Sequence, residues 1–173
     1  VADVGQAFDA TGFQPAPPRP ASDPAQVFLV GPVEIESKGI AIALEGLAIW
    51  RRRGGRFRLR RASYLPCGDA ERKWGLTEEY HHRLPPERMP FAYRSADVFI
   101  DPSRVEEGFG LPSLEALACG VPSLLSDVPG HREIGGDAAW YFRDGDPEAL
   151  AEAVPALLSD SARARARVEG PAA

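Results

Sequence analysis

Two glutamates, Glu107 and Glu115, stand with seven residues between them, and Gly108, Gly110 and Pro112 lie in that interval. Ionised carboxylates accept hydrogen bonds from hydroxyl groups. Glycines let a backbone come close to a ligand, and a proline suits the first position of a helix, where a missing N–H costs nothing. The amides and dipole of such a helix start favour an anion such as a diphosphate. Glu107 is expected just before the helix and Glu115 in its first turn, where by itself it would also pass for a capping glutamate. Hydroxyl acceptors beside phosphate donors fit the two halves of a nucleotide sugar.

These residues need elements to hold them. An apolar run at 97–101 precedes the glycine loop and another at 122–126 follows the helix, which gives strand, loop, helix, strand. Upstream, the run 26–30 ends in Gly31, as a buried parallel strand would. A helix over 40–53 carries Ile40, Leu44, Leu47 and Trp50 at helical spacing and stops at Gly54-Gly55. Strands are predicted at 57–61, 79–84 and 138–142, with helices near 69–74, 86–93 and 130–134 and from Pro147 onward. Alternating strands and helices make an α/β, doubly wound, Rossmann-like parallel sheet. With six strands in the order 3-2-1-4-5-6, strands 1 and 4 are neighbours at the switch point, and ligands bind outside their carboxyl ends. That places Lys38, in the loop 31–38, across one crevice from Glu107, in the loop 102–110. Neither loop has the G-x-G-x-x-G of dinucleotide oxidoreductases or the G-x-x-x-x-G-K-[ST] of P-loop enzymes.

Composition limits the alternatives. The chain has 173 residues, 44% hydrophobic and 26% charged, with a net charge of −5, so its overall charge gives no case for nucleic acid. Arg51 to Arg61 packs seven arginines into eleven residues. An anionic membrane or phosphate-rich partner would use them, but cations at a helix end followed by a strand with one solvated face account for them more simply. Cys119 reads as a small core residue, and the adjacent His81 and His82 as packing and surface side chains on opposite strand faces rather than a metal pair. Two cysteines and no apolar run long enough to span a bilayer suit a cytoplasmic protein, at most peripheral to a membrane. The sequence starts at Val1 and its one methionine is Met89, so it is expected to be a piece of a longer protein.

The run EEGFGLPSLEALACGVP closely resembles the donor-site motif of retaining glycosyltransferases of family 4, which have the GT-B fold. The resemblance extends over roughly residues 26–160, through Ser37-Lys38-Gly39, then PERMPFAYRSADVFIDPSRVEEGFG, then SDVPGHREI. It implies that residues 1–25, with Phe8 and Phe13 as aromatic anchors, link two domains, and that 26–173 is the C-terminal, nucleotide-sugar-binding half of a GT-B fold. The acceptor-binding N-terminal half would be the partner domain, so this chain would bind a donor and turn over little alone. By the same resemblance Lys38 contacts the diphosphate, Glu107 the transferred sugar and Glu115 the ribose. Gly108, Phe109, Gly110 and Leu111 would offer amides to sugar and phosphates, Gly31 would line the donor site, and Leu84 would pack the base. No metal or other cofactor is implied. The family commonly carries arginine directly after the first-strand glycine, where this chain has Pro32; Arg104 is a candidate replacement. A GT-B-like epimerase or phosphorylase, and a non-catalytic binding module, remain as alternatives.

Overall fold

The apolar strands pair into one six-stranded parallel sheet in the order β3-β2-β1-β4-β5-β6. They are β1 (Ala25–Val30), β2 (Phe57–Ser63), β3 (Thr77–His82), β4 (Val98–Asp101), β5 (Ser123–Ser126) and β6 (Trp140–Phe142). The structure, a computed structural model, describes residues 10–17, 20, 22–105 and 110–160. The expected order is therefore observed, and β1 pairs with β2 on one side and β4 on the other.

The central strands are apolar on successive residues because both faces are covered. Val27, Leu29, Val98, Ile100 and Leu124 meet α1 (Ile40–Arg52) and α6 (Pro147–Ser159), whose Leu44, Leu47, Leu150 and Val154 complete that layer. Phe28, Phe99 and Leu125 face the other way, against α3 (Met89–Arg94) and α4 (Leu111–Ala118). Short helices α2 (Asp69–Arg72) and α5 (Pro129–Gly135) complete the set. Cys119 is buried in the second layer, as its sequence context suggested. Phe13 packs tilted on Tyr93 at 6.3 Å between ring centres, whereas Phe8 lies outside the described residues. Among those residues no helix is long and apolar enough to cross a membrane.

Several local expectations shift. β3 begins two residues early and ends at His82, because Arg83 turns into the left-handed region at φ 54°. Pro86 opens a 3₁₀ turn, with α3 starting only at Met89. Six of the seven clustered arginines are partnered: Arg53 with Glu148, Arg56 with Asp23 and Arg58 with Glu78, among others. The solvated-strand expectation fails at Arg61, which shares the inward face with Phe57 and Leu59 and is fully buried. Its charge is met by Glu71, Nε to Oε1 at 2.9 Å. His81 pairs with Glu79, and His82 lies 3.1 Å from the Tyr64 carbonyl oxygen, consistent with opposite faces.

Candidate functional site

The loops after β1 and β4 meet at the switch point. A 3₁₀ turn, Glu36–Lys38, ends the first loop, and Gly39 follows at φ 60°. A Cβ on Gly39 would stand 1.9 Å from the Pro102 carbonyl oxygen, so only glycine lets the two loops lie this close. The Arg104 amide donates to the Ser37 carbonyl at 2.7 Å and ties them together. Lys38 lies beside Gly31, its Cδ 3.5 Å from where a Gly31 Cβ would be. Beneath Gly31, the Arg61 Nη2 donates to its carbonyl at 2.8 Å. Nη1 of Arg61 is buried and has no hydrogen-bond partner among the described residues.

A cavity of about 220 Å³ opens where β1, β2 and β3 end, lined by Gly31, Ala62, Tyr64, Arg83, Leu84 and Met89 among others. It brings Gly31 and Leu84 together, 53 positions apart in the chain. A roomier cleft of about 650 Å³ lies at the other end of the sheet, among Arg132 and the residues leading into β6. Among the described residues, none of the sequence-derived site residues lines it.

On the β4 side, Gly110 is the N-cap of α4 at φ 68°, and Leu111 and Pro112 are its first two residues. Pro112 is thus the second helical residue rather than the first. The Ser113 and Leu114 amides close back onto the Gly110 carbonyl at 3.0 and 3.2 Å. Among the described residues, an anion at this end would therefore meet the amides of Gly110 and Leu111. Glu107, Gly108 and Phe109 lie outside the described residues. Glu115 is the fifth residue of α4, one residue deeper than expected and past the first turn, in which no acidic residue stands. It does not cap the helix. Its Oε2 accepts the Tyr93 hydroxyl at 2.8 Å. Burial pushes the Glu115 carboxyl up, and the Tyr93 hydrogen bond pulls it partly back. Tyr93, fully buried, is held well above its ordinary range by burial and then by the Glu115 charge, so its phenol stays a donor.

Arg104, the candidate stand-in for the missing arginine, is committed elsewhere: its Nε lies 3.1 Å from Asp144. Pro32 itself is buried. A second polar group went unread in the sequence. Asp101, at the carboxyl end of β4, accepts the Ser103 hydroxyl at 2.5 Å and the Ser113 hydroxyl at 2.6 Å, and His131 Nε2 lies 3.5 Å away. Burial would raise the Asp101 carboxyl, but the hydrogen bond and charge of His131, with both serines, bring it to about 2. For His131 burial opposes protonation, and Asp101 and the Ser126 carbonyl overcome it, so its pKa is raised. The available signal was a carboxylate ending an otherwise apolar strand.

The model of the family described as "Glycosyl transferases group 1" matches residues 72–170, more than half the chain. The chain belongs to the group 1 glycosyl transferases. O-antigen chain mannosyltransferase B of Escherichia coli is 41% identical over 88 residues, which are 50% of this chain and 23% of that protein. D-inositol 3-phosphate glycosyltransferase of Nocardia farcinica is 41% identical over 83 residues, 47% of this chain and 18% of that one. The matched stretches are thus under a quarter of these relatives' length. Among solved structures, the C-terminal domain of the group 1 glycosyl transferase LpcC from Francisella tularensis superposes with a TM-score of 0.71 at 19% identity, covering 95% of this chain and 93% of that one. Anabaena HepE, solved with UDP-glucose, gives 0.70 at 17% identity over 93% of this chain and 48% of its own. These structures share the Rossmann-like α/β fold of this group 1 domain.

Proposed function

We propose that this chain is the donor-binding half of a retaining, family 4 type glycosyltransferase that moves a sugar from a nucleotide diphosphate sugar to an acceptor hydroxyl. The observation that carries it is the cavity that joins Gly31 to Leu84, with Lys38 packed beside Gly31 and the β4 loop tied to the β1 loop through Arg104 and Ser37, in a chain of the group 1 glycosyl transferases. In this arrangement the base enters the cavity against Leu84, and the diphosphate meets Lys38 and the amides at 108–111. Gly31 gives the ligand room to pass close to the backbone. Glu115, oriented by Tyr93, keeps its second oxygen for the ribose hydroxyls, and Glu107 takes the sugar hydroxyls. Lys38 and the helix start stabilise the departing diphosphate electrostatically, with no cofactor assigned a part. Residues 1–25 connect to an acceptor-binding domain, without which turnover is slight. The relatives named above are transferases, which leaves the epimerase and phosphorylase alternatives without support.

Calorimetry with nucleosides, nucleoside diphosphates and nucleotide sugars tests this. Lys38→Ala is expected to weaken nucleoside diphosphate binding by about tenfold or more and nucleoside binding hardly at all, since a charged hydrogen bond contributes about 1.5–3 kcal/mol. Glu107→Gln should weaken only the nucleotide sugar, and Glu115→Gln both ligands. Equal losses of nucleoside and diphosphate in Lys38→Ala would refute the assignment.

A further inference from the structure

The polar group beneath α4 places a titratable ring against a buried carboxylate. The Ser126 hydroxyl donates to the Ser103 carbonyl, so at His131 Nδ1, 3.0 Å away, it can only accept. The Ser126 carbonyl, 2.9 Å from the same nitrogen, also only accepts, so Nδ1 carries a hydrogen. Nε2 faces Asp101, whose two oxygens already accept from Ser103 and Ser113. A carboxylate has nothing to donate, so only a hydrogen on Nε2 would meet it favourably, and against the burial that opposes protonation Asp101 with the Ser126 carbonyl raises the pKa of His131. The ring is 3% exposed and lies directly under the helix start: a Cβ on Gly110 would stand 3.7 Å from Nε2. Ser113, in the first turn of α4, is held by the same carboxylate.

We propose that the Asp101–His131 pair is a proton-dependent support for the donor-diphosphate cradle, with His131 a positioning residue whose deprotonation weakens nucleotide-sugar binding. This rests on the donor-site assignment above. With its proton, His131 neutralises Asp101 and holds the carboxylate, and through it Ser113, in place. Without it, a buried negative charge remains under the amides that must receive two phosphates, and Nε2 turns a lone pair toward that charge. Among the described residues, the charged groups around His131 do not replace the lost cation. Asp144 adds a further negative charge and is itself engaged by Arg104, while Arg132 points outward onto Asp127 and the Tyr141 hydroxyl only touches the His131 carbonyl.

The test is calorimetry of this chain with UDP-glucose and GDP-mannose between pH 6 and pH 8.5, in buffers of different ionisation heat. Each phosphate of a nucleotide sugar carries one ester bond, shares the anhydride bridge and keeps a single strongly acidic oxygen, so the ligand's phosphate charge stays constant across that range. Affinity is expected to fall about five- to tenfold from pH 6 to pH 8.5, the lower end of usual two-site coupling, with net proton uptake on binding at the upper end by reciprocity. His131→Gln, which offers Asp101 a neutral amide, should bind with the same affinity at every pH and take up no proton. An equal pH slope in that variant, or a wild type with neither slope nor uptake, would overturn the inference and leave the donor site standing. If His131→Gln does not fold, Asp101→Asn must abolish the slope and uptake instead, and their persistence there counts equally against the inference. Absence of binding by any nucleotide sugar at any pH would overturn the donor-site assignment itself, and this inference with it.

Discussion

The two loops that meet over the crevice rest on different foundations. Under the β1 loop, Arg61 and Glu71 form a buried ion pair whose guanidinium also holds the Gly31 carbonyl, and the Thr77 hydroxyl reaches the same glutamate at 2.6 Å. Under the β4 loop, Asp101 and His131 do the corresponding work for α4. A guanidinium has no proton to lose in the physiological range, whereas an imidazolium does. One wall of the crevice is therefore fixed at every relevant pH, and the other is set by a proton. In the proposed donor role, gripping and then releasing a diphosphate gains from having one wall of each kind.

The largest break in that comparison is Glu71→Leu. It leaves Arg61 buried without its counter-charge and should cost about 3–5 kcal/mol of folding stability, by the same amount at pH 6 and pH 8 in urea titrations. Replacing both partners, Arg61→Met with Glu71→Leu, sharpens the point. Stability should return to within about 1 kcal/mol of the wild type, since apolar replacements of buried pairs are often neutral. Nucleotide-sugar binding should still suffer, because nothing then holds the Gly31 carbonyl. A double variant as unstable as the single one would show that Arg61 serves packing only.

On the other wall the signature is pH. His131 has a raised pKa, so its contribution to stability is complete below its ordinary value of 6.5 and lost as pH rises through the folded value. Asp101 has a depressed pKa of about 2, so its contribution is present above the usual aspartate range and lost only as pH falls toward 2. Wild-type stability should decline above neutrality, and that of His131→Gln should not. Parallel pH curves for the two proteins would refute the pairing.

Much of this arrangement was legible from spacing. The strand order, the meeting of the β1 and β4 loops, and the apolar faces of α1 and α6 follow from periodicity and the switch-point rule, because buried parallel strands announce themselves as apolar runs. What sequence spacing could not reveal were partners distant in the chain. Arg61 looked like one more cation in a basic strand, since nothing near it shows that Glu71 turns back over the sheet. Glu115 was placed in the first turn because the helix was read from Pro112 rather than from Leu111, which makes it the fifth residue. Tyr93, 22 positions from Glu115, gave no local sign of the hydrogen bond that orients it. Asp101 and Ser113 were hidden for the same reason.

Tyr93→Phe tests that orienting bond and should cost about 1–2 kcal/mol in stability, the usual penalty for leaving a half-buried acceptor unpaired. Nucleoside diphosphates should bind several-fold more weakly and bare pyrophosphate unchanged, as a ribose contact requires. The smallest effect is expected from Arg104→Met. Its pair with Asp144 is partly open to water, so the loss should be about 0–1 kcal/mol, and the backbone bond from residue 104 to Ser37 survives the change. A large loss of donor affinity in that variant would return Arg104 to the diphosphate and remove the contrast between the two walls.

Among the described residues, β3 and β6 each pair on one side only, and neither offers much of a template for another strand. The β6 edge is three residues long. The β3 edge carries Glu78, Glu79 and His82, with Glu78 paired to Arg58, and the left-handed turn at Arg83 bends the backbone away as the strand ends. Short and charged edges are how open sheets avoid adding foreign strands. Copies of this domain refolding from urea side by side therefore meet no long, flat, apolar border on which to stack, and recovery should stay high as protein concentration rises.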